Sequence, residues 1–216
     1  MFQPESCSLR AVTYSTAKGM VTRAHYLGRL GSTSVSLGLF EGAELVGVVT
    51  FGTIPGNNAA SICGPGYAKN VMELTRLALV DEAPRNSESW FIGKALGWLS
   101  QNRPDVQVLI SYADASVGHV GTIYQATNWV YTGKSGGDVV WLCDDGKVLH
   151  PRTTGWDKSV LPPGRWRPSP GKHRYVTFVG APATRRAARK NLRWEPLPYP
   201  KQGGAAPMLR APVKDD

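Results

Sequence analysis

Residues 73–99, ELTRLALVDEAPRNSESWFIGKALGWL, pass from an apolar strand pattern through a polar turn into an amphipathic helix. Glu73–Val80 predicts a buried strand, and Trp90–Leu99 predicts the helix, with the preceding serines as its N-caps. The free N–H groups and the positive dipole end of such a helix favour an anionic group. An ordinary capped helix is the alternative, because the stretch contains neither GxGxxG nor GxxxxGK[ST]. The side chains that would meet an anion are Arg85, Asn86, Ser87 and Ser89.

A second strand and helix are predicted within residues 106–129, VQVLISYADASVGHVGTIYQATNW. Val106–Tyr112 is typical of a buried strand, and Val117–Ala126 of a short helix. Asp114 follows the carboxyl end of the strand, where it could meet Tyr124 as the base and acid of a proton transfer. Alternatively, Asp114 caps the next turn and Tyr124 is a core residue with a satisfied hydroxyl. The pattern leaves both readings open.

Hydrophobic periodicity predicts the rest of the domain. The predicted elements begin with a run of strands and continue with alternating strands and helices. This order indicates an α/β or α+β fold around a mixed, mostly covered sheet. Residues 151–171 are rich in Pro, Gly and Trp and show little periodicity. The further strands are Ser8–Tyr14, Ser34–Phe40, Leu45–Phe51, Trp129–Thr132, Asp138–Leu142, Lys147–His150 and Arg174–Val179, and the further helices are Ala17–Tyr26 and Ala183–Leu192.

Composition excludes several classes of protein. With 42% hydrophobic and 19% charged residues in 216, the chain is expected to fold as a globular domain. No apolar run reaches the length of about 18–20 residues that a membrane helix needs, and the first residues lack the pattern of a secretory signal. Three distant cysteines suit a reducing compartment, so we expect a cytoplasmic protein.

Positive charge is concentrated in the last third of the chain. Residues 1–146 carry 10 Lys and Arg against 12 Asp and Glu, whereas residues 147–216 carry 15 against 4. Cations interleaved with aromatic residues, as in RWRPSPGKHRY and RRAARKNLRWEPLPYPK, favour nucleic-acid binding over a merely solvated tail. The predicted phosphate contacts are Arg165, Arg167, Lys172, Arg174, Arg185, Arg186, Arg189 and Lys190.

The succession ELTRLALV, turn, helix, VLISYAD, GHVGTIYQATN and WVYTG resembles the central part of the GNAT acyltransferase superfamily. The resemblance implies a mixed, mostly antiparallel sheet flanked by helices, here with a basic C-terminal extension. It also implies that the pantetheine arm of acetyl-CoA, or another activated donor, lies along Leu74–Val80, including Leu77 and Leu79. The pyrophosphate would then rest on Arg85–Ser89. RNSESW replaces the usual Q/R-x-x-G-x-G/A turn of that superfamily, which argues against ordinary acyl-CoA binding.

A more specific resemblance is to the Mom DNA-modification proteins of Mu-like phages. It rests on SYAD, GHVGTIYQATNW, the early HYLG, and the late HRY with PYPK, and it spans about residues 25–201. It implies transfer of a carbamoylmethyl group to N6 of adenine in double-stranded DNA, which protects the DNA from host restriction enzymes. It also implies an iron requirement, although the four scattered histidines show no ligand spacing. The active-site residues that it implies are Asp114, Tyr124, Ser111, His25 and Tyr26.

Our sequence-based hypothesis is therefore a phage enzyme that modifies DNA adenine. Residues 1–146 would form the catalytic core, residues 147–201 would complete the sheet and contact DNA, and residues 202–216 would be a flexible tail. The alternatives are a GNAT-type N-acyltransferase for a small amine or a protein, and a non-catalytic DNA-binding module. The sequence leaves the oligomeric state open, a dimer included, as well as the identity of any metal and of the donor.

Overall fold

Among the described residues, seven strands form one mixed sheet and three more form a smaller sheet inserted into it. The computed structural model describes residues 6–25, 28–54, 58–149 and 161–201. The large sheet has the order β1-β2-β3-β4-β5-β10-β6 and the small sheet the order β8-β7-β9. In chain order the strands are β1 (Cys7–Ala11), β2 (Val35–Glu41), β3 (Glu44–Gly52), β4 (Val71–Leu79), β5 (Val108–Ala113), β6 (Val130–Lys134), β7 (Asp138–Cys143), β8 (Val148–Leu149), β9 (Gly164–Ser169) and β10 (His173–Phe178).

Helices pack on both faces of the large sheet. α1 begins after Thr13, whose hydroxyl accepts a hydrogen bond from the Thr16 N–H at 3.2 Å. None of the helices in the described ranges is long and apolar enough to cross a membrane. The helices are α1 (Tyr14–Ala24), α2 (Ala60–Cys63), α3 (Ser87–Asn102), α4 (Thr122–Ala126) and α5 (Pro182–Lys190), with 3₁₀ turns at Pro65–Asn70 and Ala115–Val117.

All neighbouring strands of the large sheet are antiparallel except β4 and β5, which confirms the predicted mixed, mostly antiparallel architecture. β4 and β5 pair at their first three residues, the last of which sets Glu73 opposite Ile110. The register of β4 against β3 shifts at the next step, where Thr50 lies opposite Arg76 and Phe51 opposite Leu74. Thr75 is thus the extra residue of a β-bulge, which bends β4 where it leaves β5.

Two apolar cores cover the two faces of this sheet. On one face, Leu74, Leu109 and Tyr175 pack with Phe91 of α3 and Tyr124 of α4. On the other face, Val108, Ile110 and Val176 pack with Ile62 of α2 and Ala188 of α5. We call these the α3 face and the α2 face. Side chains alternate along a strand, so consecutive residues of β5 reach opposite faces.

The small sheet leaves the large one between β6 and β10. Its strands β7 and β9 pair in register, with the rings of Trp141 and Trp166 edge to face at 5.2 Å. The segment after β6 and the segment before β10 lie side by side, and there the Ser135 N–H donates to the Lys172 carbonyl at 2.8 Å. Residue 146, predicted as the last residue of the catalytic core, lies in the turn between β7 and β8.

Several predicted elements were wrong in extent. The helix predicted at Val117–Ala126 is divided into the 3₁₀ turn and α4, because Gly118 and Gly121 adopt φ angles of 77° and 78°. The loop predicted after β3 contains α2. β9 was missed, because its proline and arginines hide a strand that forms by pairing with β7. His150, predicted to end a strand, lies outside the described residues.

The helix predicted at Trp90–Leu99 runs over the longer span Ser87–Asn102, and the serines do not cap it. Asn86 occupies the N-cap position in the left-handed conformation, with φ 71° and no side-chain capping bond. The Ser89 hydroxyl donates to the Asn86 carbonyl at 2.9 Å. Ser87 is already helical, and its hydroxyl is buried without a partner among the described residues.

Gly121 tests whether the tight approach of α4 to the sheet stabilises the fold. A Cβ at this position would lie 2.8 Å from Cζ of Tyr175, and φ is positive. We expect Gly121→Ala to lower the free energy of unfolding by about 1–3 kcal/mol, read as a lower Tm in thermal denaturation.

Gly19→Ala is the matched control, because Gly19 lies in α1 with no heavy atom within 4 Å of a new Cβ. It should leave Tm unchanged or raise it, since alanine favours a helix interior by up to about 1 kcal/mol over glycine. Equal effects of the two substitutions would contradict this account of α4.

Candidate active site

The site is built around an opening between β4 and β5. Beyond Glu73 and Ile110 the two strands no longer pair, although each keeps its other neighbour, β3 or β10. The backbone groups on the inner edges are therefore available to an extended ligand or to side chains. Residues 74–79 line one side of this opening and residues 111–113 the other.

A buried hydroxyl pair lies where the strands part. The Ser111 Oγ is 2.8 Å from the Leu74 carbonyl oxygen and 2.7 Å from the Tyr124 hydroxyl oxygen. The Ser111 hydroxyl is placed to donate to either oxygen, and because a serine has a single proton it makes one of these two bonds at a time. Ser111 and Tyr124 are 1% and 7% exposed. The opening thus contains a connected pair of proton donors on the α3 face.

Aromatic packing fixes the position of Tyr124. Its ring centroid lies 5.1 Å from that of Trp129 and 5.2 Å from that of Tyr175. The Tyr175 hydroxyl donates to the Val120 carbonyl and accepts from Gln125 Nε2 at 3.1 Å. These bonds tie the segment before α4 to β10, so Tyr124 is a core residue with a satisfied hydroxyl, as the second reading predicted, and its catalytic role stays a prediction.

Asp114 stands immediately after β5. Its Oδ1 accepts hydrogen bonds from the Ser116 N–H at 2.9 Å and from the Ser116 hydroxyl at 2.6 Å. This is the cap that the alternative reading predicted, but it uses one carboxylate oxygen. The other, Oδ2, lies 3.8 Å from Nζ of Lys172, and the side chain is 21% exposed. One oxygen orients the carboxylate, and the second remains accessible.

His25 follows α1 and is half-buried. Burial is the main reason that the pKa of its imidazole falls from the ordinary 6.5 to about 4, and the charges of Arg76 and His119 lower it further. His25 is therefore neutral at pH 7 and gains a proton only as the pH approaches about 4. Arg76 itself donates from Nε to the Arg29 carbonyl at 2.8 Å. Tyr26, predicted beside His25, lies outside the described residues.

The structure brings together residues that sequence reasoning left apart. Arg76 was not predicted, although an arginine inside the otherwise apolar ELTRLAL is a visible signal. His119 was not among the predicted site residues, and its charge acts on His25. Lys172 was assigned to nucleic acid alone, but it adjoins Asp114.

The residues predicted for a donor lie along β4 and at the start of α3. Leu77 packs against the core on the α3 face, and Leu79 is buried there. Arg85 and Asn86 are exposed, Ser89 is half-buried and Ser87 is buried at the first helical turn. Backbone N–H groups at a helix start can bind a phosphate.

The predicted nucleic-acid residues separate into two groups. Arg165 and Arg167 are exposed on β9, and Lys172 precedes β10 on the side of Asp114. The α5 cations follow the opposite end of β10, roughly 17 Å away along a strand of six residues. There Arg185, Arg186 and Arg189 line a groove of about 610 Å³ beside α3. Lys190 is exposed at the last residue of α5.

Arg174 differs from the other predicted cations. Its Nε and Nη2 donate to the Thr132 hydroxyl at 2.9 Å and to the Thr132 carbonyl at 2.8 Å. The guanidinium also stacks on Trp194, 3.6 Å from the ring centroid. Burial lowers its pKa. Its position is therefore fixed by the protein rather than by a phosphate.

The iron implied by the family resemblance finds no fitting donor set in the described part of the chain. No three His, Cys, Asp or Glu side chains there come close enough together to hold a metal ion.

The large sheet, with its opening between β4 and β5, has the GNAT fold. A variant of the spermidine N-acetyltransferase SpeG from Vibrio cholerae superposes with a TM-score of 0.50 at 11% identity, covering 81% of this chain and 94% of that one. A GNAT family acetyltransferase from Elizabethkingia anophelis with acetyl-CoA bound gives a TM-score of 0.47 at 11% identity, covering 81% and 99%.

Within that fold, the chain belongs to the Mom protein family, whose model matches residues 6–201. It is 32% identical over 206 residues to the methylcarbamoylase Mom of Escherichia phage Mu, covering 89% of this chain and 85% of the relative. The resemblance inferred from SYAD and GHVGTIYQATNW is confirmed.

The pKa of His25 predicts a pH dependence of stability. Between pH 6.5 and about 4, the unfolded chain protonates His25 and the folded chain does not, so stability falls as pH decreases through this window. His25→Asn removes the contribution. Its Tm should therefore decrease less than that of the wild type between pH 7 and pH 4. Parallel Tm curves for the two proteins would contradict a neutral, half-buried His25.

Proposed function

We propose that this protein transfers a carbamoylmethyl group to N6 of adenine in phage DNA. One observation carries the proposal: Asp114 and the Ser111–Tyr124 hydroxyl pair adjoin the same end of β5, beside the opening between β4 and β5. Membership of the Mom family supports it, since the phage Mu relative is a methylcarbamoylase. The modified adenine would shield phage DNA from restriction in the host cytoplasm.

The chemistry needs both a proton acceptor and a proton donor. The N6 lone pair of adenine is delocalised into the ring, so attack on a carbon requires removal of an N6 proton as the N–C bond forms. Oδ2 of Asp114 accepts that proton. The bond between the donor carbon and its leaving group breaks at the same time, and the leaving group takes a proton from the Ser111–Tyr124 pair. Lys172 stabilises the Asp114 carboxylate beforehand.

The donor would occupy the opening between β4 and β5. An extended arm there can hydrogen-bond the inner backbone edges, and an anionic end can reach the first turn of α3. An acetyl thioester would leave an N-acetyl group, so an alkylating donor is required for the carbamoylmethyl product. A GNAT-type acetyl transfer to another amine is the second candidate, supported by the same opening.

Asp114→Asn should abolish the modification while retaining the Ser116 cap, because the amide oxygen still accepts hydrogen bonds but cannot take a proton at neutral pH. We expect the modified fraction of plasmid adenine in co-expressing cells to fall by about 10²-fold or more. Mass spectrometry of the digested nucleosides measures it.

Asp105→Asn, just before the other end of β5, is the matched control, because the Asp105 carboxylate pairs at the surface with Arg103. It should modify DNA as the wild type does. Modified adenine at the wild-type level in Asp114→Asn would refute the role of Asp114. An N-acetyl nucleoside, or none from the wild type, would refute the proposed reaction.

DNA binding should depend on both basic groups. Replacing two phosphate-contacting arginines removes about two counterions from the binding equilibrium, so the slope of log affinity against log salt should decrease by about 2. We expect this for Arg165→Gln with Arg167→Gln, and for Arg185→Gln with Arg189→Gln, in fluorescence anisotropy with duplex DNA.

Arg10→Gln with Lys18→Gln is the control, because it removes the same charge from exposed positions on β1 and α1, and β1 is the edge strand of the large sheet far from β10. An equal change of slope in the control would show a general effect of net charge. No change for one arginine pair would exclude that pair from the DNA interface.

A further inference from the structure

A second cavity, of about 290 Å³, lies on the α2 face, across the sheet from Tyr124. It is bounded by the start of the α2 segment, by the ends of β5 and β10, and by the loop after β6. Its volume is near the lower end of the range of about 300–1,000 Å³ typical of small-molecule sites. It therefore suits one planar ring system. The side chains that line it include Asn58, Tyr112, Arg174 and Trp194.

This cavity adjoins Asp114. Tyr112 is two residues before Asp114, which follows β5 with its backbone still extended (φ −79°, ψ 105°). The two side chains therefore leave the backbone on the same side, roughly 7 Å apart. The same spacing relates Arg174 of β10 to Lys172, which precedes that strand and lies beside Asp114. Arg174 lies opposite Tyr112 in the sheet. A ring in the cavity would therefore have one edge near the accessible oxygen of Asp114.

One wall of the cavity is a rigid, flat stack. Arg174 is held by two hydrogen bonds to Thr132 and lies 3.6 Å over the Trp194 ring. Because both planes are fixed, a second planar group can stack there without ordering a flexible side chain. Nucleobases stack on such aromatic and guanidinium planes.

The remaining wall offers donors and acceptors. Asn58 presents a side-chain amide that has both, the arrangement that reads adenine in pairs of hydrogen bonds. Tyr112 presents a phenol, and burial together with the Glu73 carboxylate raises its pKa, so it stays protonated and can donate. A pocket with a stacking plane and an amide on its edge discriminates among bases, not only between charged and neutral ligands.

We propose that this cavity holds the target adenine, rotated out of the DNA stack, with N6 directed at Asp114. The proposal rests on the proposed function in that it assigns the acceptor of the same reaction. The sheet then separates the two substrates, because the base enters from the α2 face and the donor occupies the opening. Ser111 and Tyr124 act from the α3 face. Enzymes that modify a base in DNA extrude it into a pocket of this kind.

The test measures base preference without catalysis. The probe is a labelled single-stranded thymine oligonucleotide with one central adenine, compared with the same strand without adenine, by fluorescence anisotropy. The wild type and Asp114→Asn should bind the adenine strand more tightly. Asn58→Ala and Tyr112→Phe should each lose about fivefold to tenfold in affinity for the adenine strand, with affinity for the all-thymine strand unchanged.

Tyr67→Phe is the matched control, because Tyr67 loses the same hydroxyl on the same face without lining the cavity. It should keep the adenine preference. An unchanged preference in both Asn58→Ala and Tyr112→Phe, or no adenine preference in the wild type, would overturn the pocket assignment even if DNA is modified. A preference lost only in the pocket variants supports the pocket, even if nucleoside analysis finds no modified adenine and the proposed reaction fails.

Discussion

The short parallel contact between β4 and β5 is the constraint on which the rest of the structure depends. β4 and β5 stop pairing after Glu73 and Ile110. The bulge at Thr75 bends β4 away from β5, while the other edge of β4 stays paired with β3. Parting strands leave unpaired backbone groups, which are costly when buried. Ser111 meets one of them, the Leu74 carbonyl, with its hydroxyl. The same hydroxyl contacts Tyr124, so the interaction that closes the inner end of the opening also brings a proton donor to it.

This arrangement gives the sheet two chemically distinct faces at one point. Ser111 and Tyr124 belong to the α3 face, whereas Tyr112 and Arg174 meet on the α2 face and Asp114 stands at the strand end between them. Alternation along β5 alone produces this separation. A transferase needs two substrates that meet at one atom, and an opening through a sheet supplies an approach from each side. His25 is neutral at pH 7, so it adds no positive charge near the opening.

The sequence predicts the strands of the central part well, because the apolar runs there have clear periodicity, whereas the site residues named from SYAD and its neighbours stay predictions. It does not predict what long-range pairing decides. β9 becomes a strand only opposite β7, and the division of the 117–126 helix depends on two glycine φ angles. Arg174 reads as a phosphate ligand until Thr132 and Trp194 are seen to hold it. The cavity beside Asp114 joins residues from five separate segments of the chain, which no local pattern reveals.

The central claim is that the Ser111–Tyr124 pair takes part in the reaction and is not only a structural bond. Tyr124→Phe tests it most directly, because the ring packing with Trp129 and Tyr175 is retained while the hydroxyl is lost. The measurement is the fraction of plasmid adenine modified over time after induction, with Tm as a check on folding. The account predicts a loss of about 10²-fold or more in a protein that remains folded. Because loss of proton transfer should lower the modified fraction by about 10²-fold or more, a fraction within about threefold of wild type would contradict it.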